Sequence, residues 1–208
     1  MFENYTRLRF TREGRILRVT IAGLGKVNAV DQTMHHELGR CFHDIQDDPD
    51  SDLVVLTGEG RAFCAGGDVD WFYAMMDDPR RFRAIAPEGK RIVNTLLELE
   101  KPIICRLNGA AAGLGATLAL LCDVVIAADT AVIGDPHVKV GLVAGDGGAL
   151  IWPQLIGFAR AKELLMTGEM LSAAEAARLG LVNHVVPADQ LDAKVAEVAG
   201  KILANPRW

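Results

Sequence analysis

The segment DPHVKVGLVAGDGG (135–148) places His137 and Asp146 among valines and small residues, with Asp135 just ahead of them. Histidine titrates near neutral pH, so it can take or give a proton without a large environmental shift. An aspartate that accepts from one ring nitrogen fixes the tautomer and leaves the other nitrogen as a base. His137 and Asp146 are therefore a candidate acid–base or water-activating pair. Asp146 has a second reading as the N-cap of a helix starting at Gly147, and the two roles are compatible. Asp135, before Pro136, reads as a turn residue.

Two glycine-rich segments complement this pair. GRAFCAGGDVDWF (60–72) and NGAAAGLGATLALLCDVVIAA (108–128) each follow an expected strand and lead toward a helix. Small residues let a ligand approach the backbone. Amides at a junction with a helix point outward, where the helix dipole favours negative charge. Side by side, the two loops would offer two N–H donors to one carbonyl oxygen. Losing one such donor costs about 3 kcal/mol of transition-state stabilisation. Tight helix packing is the other use of such small residues. Trp71, Phe72, Tyr73, Met75 and Met76 follow the first loop and read either as a substrate channel or as plain core.

Several chemistries are excluded. Neither Ser51 nor Ser172 sits in G-x-S-x-G, so there is no serine-hydrolase elbow. There is no P-loop and no dinucleotide fingerprint after the first strand. His36-Glu37 lacks the second histidine of H-E-x-x-H, and His35, His36 and His43 read as a surface cluster. No metal site and no resident cofactor are expected.

The elements that must position these residues alternate between strand and helix, which makes the class α/β. Leu8–Thr11 and Ile16–Ala22 read as an antiparallel pair. Asp31 caps a helix to about Asp47, with Met34, Leu38, Phe42 and Ile45 on one face. Strands follow at Leu53–Thr57, Pro102–Leu107, Cys122–Ala128 and Val182–Val186. Helices are expected over Pro79–Glu100, after Gly109, and over Gly147–Ile156, Arg160–Thr167, Ser172–Leu179 and Asp189–Leu203.

With 208 residues, one domain spanning 1–208 is expected. A net charge of −5 gives no electrostatic case for nucleic acid or an anionic membrane surface. The short basic clusters Arg80, Arg81, Arg83 and Lys90, Arg91 read as a solvated helix face, with an anionic ligand nearby as the other reading. Cys41, Cys64, Cys105 and Cys122 form no C-x-x-C pair and no signal peptide opens the chain, which points to reduced thiols in the cytoplasm. The longest apolar run, around Leu114–Ala128, is too short and too polar for a membrane span.

AFCAGGD, NGAAAGLGATLALLCDVVIAA, GLVAGDGGA and AARLGLVNHVV occur in this order. Together they resemble the crotonase superfamily, the enoyl-CoA hydratase/isomerase family, from about Arg15 to the end of the chain. The resemblance implies a spiral of β-β-α units, a homotrimer or hexamer, and an acyl-CoA thioester substrate. Coenzyme A then arrives as part of the substrate. It also implies two backbone amides that hold the thioester oxygen and stabilise an enolate. By position these belong to Ala65 and Leu114, with Gly67 and Gly113 beside them. Lys26, Val27 and Ala29 match the segment that contacts coenzyme A, and Asp68 and Val69 the stretch near adenine and pantetheine.

The chain departs from the pattern where hydratases of that family carry two glutamates. Thr117 and His137 occupy those positions. A threonine hydroxyl orients a water but exchanges no proton at neutral pH. Asp146 matches a catalytic aspartate in dienoyl-CoA isomerases and in β-diketone hydrolases resembling 6-oxocamphor hydrolase. KILANPRW ends the chain where relatives usually continue into lid and trimerisation helices, so these are expected to be short or missing. Three functions follow. The first is an acyl-CoA enzyme with His137 as acid–base. The second is a C–C hydrolase of a β-dicarbonyl compound using His137–Asp146. The third is a non-catalytic acyl-CoA binder.

Overall fold

The computed structural model describes residues 2–206. Arg207 and Trp208, the end of KILANPRW, lie outside the described residues. β1 (Leu8–Glu13) and β2 (Ile16–Ile21) pair antiparallel, with Glu13 opposite Ile16. Asp31 caps α1 (Gln32–Gln46), its carboxylate accepting from the Met34 amide at 2.8 Å. Met34, Leu38, Phe42 and Ile45 are buried on the expected face of α1.

From β3 onward the chain builds repeated units. β3 (Leu53–Gly58), β5 (Ile103–Leu107) and β7 (Val124–Ala128) join one six-stranded sheet in the order β1-β2-β3-β5-β7-β10, where β10 is His184–Val186. Each of these three strands is followed by a three-residue strand of a second sheet: β4 (Ala62–Cys64), β6 (Ala110–Ala112) and β8 (Val132–Gly134). β9 (Met170–Ser172) closes that sheet, in the order β4-β6-β8-β9. The alternation between sheets is the β-β-α spiral. The second sheet is not evident in the sequence, because three residues are too few to show a period of two.

The helices are α2 (Val69–Asp77), α3 (Pro79–Leu97), α4 (Leu114–Leu120), α5 (Gly148–Ile156), α6 (Phe158–Thr167), α7 (Ala173–Leu179) and α8 (Leu191–Leu203). β3 is buried on both faces, as a parallel strand covered on two sides must be. Val54 and Leu56 join the main core with α1 and α3, while Leu53 and Val55 pack with Leu191, Val195 and Ala199 of α8. Among the described residues no helix is long and apolar enough to cross a membrane.

Candidate active site

β4 and β6 are adjacent and parallel, with Cys64 opposite Ala111. The chain therefore leaves both strands at the same end, and the two glycine-rich loops emerge together. Asn28, in the left-handed conformation (φ 54°), braces the first loop by donating to the carbonyls of Glu59, Ala62 and Phe63. Asn108 grips the same turn, donating to the Gly60 and Ala62 carbonyls and accepting from the Gly58 amide.

Backbone bonding decides which amides remain available. The Ala65 amide donates to the Val27 carbonyl at 3.0 Å. It is therefore engaged, and the expectation that Ala65 supplies an oxyanion donor fails. Val30 donates to the Gly66 carbonyl and Asp68 to the Val30 carbonyl. This bridge leaves the Gly67 amide between them without an acceptor among the described residues. In the second loop Gly113 donates to Gly134 at 3.1 Å, whereas the Leu114 amide, first in α4, has no acceptor among the described residues. Gly67 and Leu114 both line one pocket. The two open donors are thus Gly67 and Leu114.

His137 reaches the same pocket from a 3-10 turn (His137–Val140). Gly113, at φ 53°, lies directly beneath its ring, and a Cβ there would come within 3.0 Å of Cε1. Asp135 is not merely a turn residue. It is 2% exposed, and its Oδ1 takes the ring Nδ1 at 2.5 Å. On the other side Nε2 faces Asp146 Oδ2 at 3.3 Å. Neither ring nitrogen is left free, which corrects the expectation of an open base nitrogen. Burial alone would lower the His137 pKa, but the hydrogen bonds and charges of Asp135 and Asp146 outweigh it and push it up to about 10. The ring is an imidazolium at neutral pH.

Asp146 is not the cap of α5. Gly147 holds that position with no side-chain bond to the helix. The carboxylate instead turns inward, with Oδ2 on His137 and Oδ1 accepting from the Thr117 hydroxyl at 3.3 Å. Thr117 is fully buried and stands behind Asp146 rather than lining the pocket. One carboxylate thus bridges the two positions where the resemblance led us to expect glutamates. Asp135, His137 and Asp146 also bring one ligand atom each within 4.8 Å of one another. A cation held by all three would take one ring nitrogen and displace its proton.

The pocket encloses about 250 Å³ and is walled mainly by Val30, Trp71, Phe72, Met75, Ile85 and Leu142. An adjoining apolar hollow shares Phe72, Met75, Phe82 and Leu142 with it and adds Val69. Tyr73 and Met76 line that hollow too, so most of the aromatic and methionine run faces these two hollows, with Met75 also buried. Asp68 serves as the N-cap of α2, accepting from the Trp71 amide at 3.0 Å. Lys26 and Val27 are exposed in the neighbouring turn, and Ala29 pairs with Leu24. The structure brings Gly67, Leu114, His137 and Asp146 together and sets Lys26, Val27, Ala29 and Asp68 outside the pocket wall. Asp135 is the member of the site that sequence reading missed. A carboxylate two residues before a catalytic-type histidine was the available signal.

Comparison with known proteins shows the family. Residues 11–208 match the family model described as enoyl-CoA hydratase/isomerase. The chain is 34% identical to a crotonyl-CoA hydratase of Syntrophomonas wolfei, over 97% of this chain and 77% of that one. It is 36% identical to a carnitinyl-CoA dehydratase of Citrobacter koseri, over 94% and 74%. The crystal structure of an enoyl-CoA hydratase/isomerase from Mycobacterium paratuberculosis superposes with a TM-score of 0.92 at 36% identity, covering 98% of this chain and 82% of that one. On the combined strength of motif order, fold and similarity, this chain belongs to the enoyl-CoA hydratase/isomerase family.

Proposed function

We propose that the chain processes an acyl-CoA thioester by way of an enolate, with the Gly67 and Leu114 amides on the thioester oxygen and the Asp146–His137 pair moving the proton. The observation that carries this reading is that two unengaged backbone donors and one acid–base chain line the same apolar pocket. As negative charge develops on the oxygen, preorganised donors stabilise it without reorganisation. Asp146 accepts the proton from the carbon next to the developing enolate. His137, an imidazolium anchored by Asp135, balances the charge on Asp146 and can return a proton. A single carboxylate suits the relocation of one proton, as in isomerisation, better than the paired-glutamate addition of water. Coenzyme A enters with the substrate, and the chemistry calls for no resident cofactor.

A second reading has its own observation. The continuous Asp135–His137–Asp146 chain also suits water activation, and so the hydrolytic cleavage of a C–C bond in a β-dicarbonyl compound. The experiment is a panel of 2-enoyl-CoA and 3-enoyl-CoA esters and cyclic β-diketones, followed by mass and by enoyl absorbance. Isomerisation changes absorbance without changing mass. Hydration adds one water to the thioester. Ring opening adds one water to the diketone. If no substrate is altered while acyl-CoA still binds, the protein is a binder and the enzymatic reading fails.

Self-association fits the exposed apolar side chains Phe158 and Met166, which are 72% and 68% exposed. Light scattering that finds a trimer or hexamer supports this, and a monomer refutes it. The four cysteines are free and buried, in keeping with a cytoplasmic setting.

A further inference from the structure

The pocket holds two polar side chains that the enolate chemistry does not use, His35 and Lys90. His35, on α1, is 7% exposed, which takes it out of the surface cluster expected with His36 and His43. Its Nδ1 lies 3.0 Å from Glu88 Oε2 on α3, and the other oxygen of that carboxylate takes His36 Nδ1 at 2.8 Å. Burial raises the Glu88 pKa, but the hydrogen bonds to His36 and His35 outweigh it and hold the carboxyl below its ordinary value. An ionised carboxylate accepts from both rings, so each ring carries its proton on Nδ1. With Nδ1 donating, His35 Nε2 is the acceptor nitrogen of that tautomer. It has no partner among the described residues and lies 4.0 Å from where Gly89, which lines the same pocket, would carry a Cβ. Trp71 flanks the ring at 5.4 Å between centroids. The Lys90 ammonium has no carboxylate partner among the described residues.

An apolar pocket uses a few placed polar groups to select its ligand. Here one is a nearly buried acceptor and the other a cationic donor. We propose that His35 Nε2 and Lys90 Nζ bind a hydroxyl on the substrate's acyl group, away from the reacting carbonyl. A hydroxyl satisfies both groups at once, because its hydrogen goes to the imidazole lone pair and its oxygen accepts from the ammonium. A carboxylate or ketone brings no hydrogen to Nε2, and a plain alkyl chain satisfies neither group. His35 thereby selects the substrate as well as tying α1 to α3. The inference rests on the acyl-CoA reading above.

The test compares two enoyl-CoA esters of equal chain length, one hydroxylated at its terminal carbon and one unsubstituted. A site that hydrogen-bonds a hydroxyl discriminates against the analogue lacking it, so the wild type favours the hydroxylated ester by about tenfold or more in kcat/KM, mainly through KM. His35→Leu removes this preference, and His35→Gln, which keeps an acceptor, retains part of it. Lys90→Met, at an exposed position that puts no folding at risk, reduces it. A purely structural His35 would change both esters alike and leave their ratio untouched. Equal use of the two esters by the wild type, or a ratio unchanged in both His35→Leu and Lys90→Met, overturns the inference and leaves the acyl-CoA reading standing. Failure of the wild type to bind or turn over either ester removes that reading, and this inference with it.

Discussion

Asp135 Oδ1 and His137 Nδ1 meet at 2.5 Å, while Nε2 of the same ring faces Asp146 at 3.3 Å. A histidine held between two carboxylates is a cation by design of its surroundings, and the behaviour of the site with pH follows from that.

The His137 pKa is raised from 6.5 to about 10. Its contacts with the two aspartates therefore contribute fully to stability below the unfolded value. The contribution declines as pH rises from there and is gone above the folded value. Urea unfolding of the wild type and His137→Gln should differ most near about pH 6 and converge toward about pH 10. A His137 ring signal that titrates by NMR near its ordinary value would refute this.

Asp135→Asn leaves the shape but takes away the charge behind the ring. The His137 pKa should fall, and kcat should drop by roughly 10- to 100-fold with little change in KM, a part of the usual acid–base contribution. A drop confined to KM would mean that Asp135 holds substrate rather than His137.

Asp146→Asn should be more severe, about 10²- to 10⁴-fold in kcat, because it removes the proton acceptor itself. Thr117→Val removes only the hydrogen bond to Asp146. It should cost about 0.5–1.5 kcal/mol in stability or orientation, and at most roughly tenfold in kcat. Equal losses in the two variants, measured on the same substrate, would place the proton transfer elsewhere.

Gly148 packs against the buried Asp135 carboxylate, and a Cβ there would lie 2.2 Å from Oδ2. Gly148→Ala should lower stability by about 1–3 kcal/mol through overpacking and should displace Asp135 from His137. An unfolding midpoint and a kcat both equal to wild type would show that the contact relaxes freely.

The large sheet and most helices are legible in the sequence because Val54, Leu56, Met34 and Leu38 recur at strand or helix spacing. The small sheet is not, since Ala110–Ala112 shows neither alternation nor bulk. α2 has no expected bounds of its own for a related reason, as its apolar residues crowd into one run around Trp71–Met76. The motif CAGGD marks the first loop, but which of its amides is open depends on the Val27 carbonyl, delivered by a distant segment to Ala65. Asp146 is recognisable as a site residue, yet its inward turn depends on Gly147 taking the cap position at φ 111°. Asp135 looks like any aspartate before proline until the fold encloses it.

The account stands on the Leu114 amide as one of two donors to the substrate oxygen. Leu114 is the first residue of its helix, where proline is tolerated and its missing N–H disturbs no helical bond. Leu114→Pro and Leu114→Ala both lose the side chain, but only the first loses the N–H. Turnover of the same acyl-CoA by the two variants is the direct measurement. The account predicts that Leu114→Pro is slower than Leu114→Ala by about 10²- to 10³-fold in kcat. Equal turnover by two folded variants would contradict it.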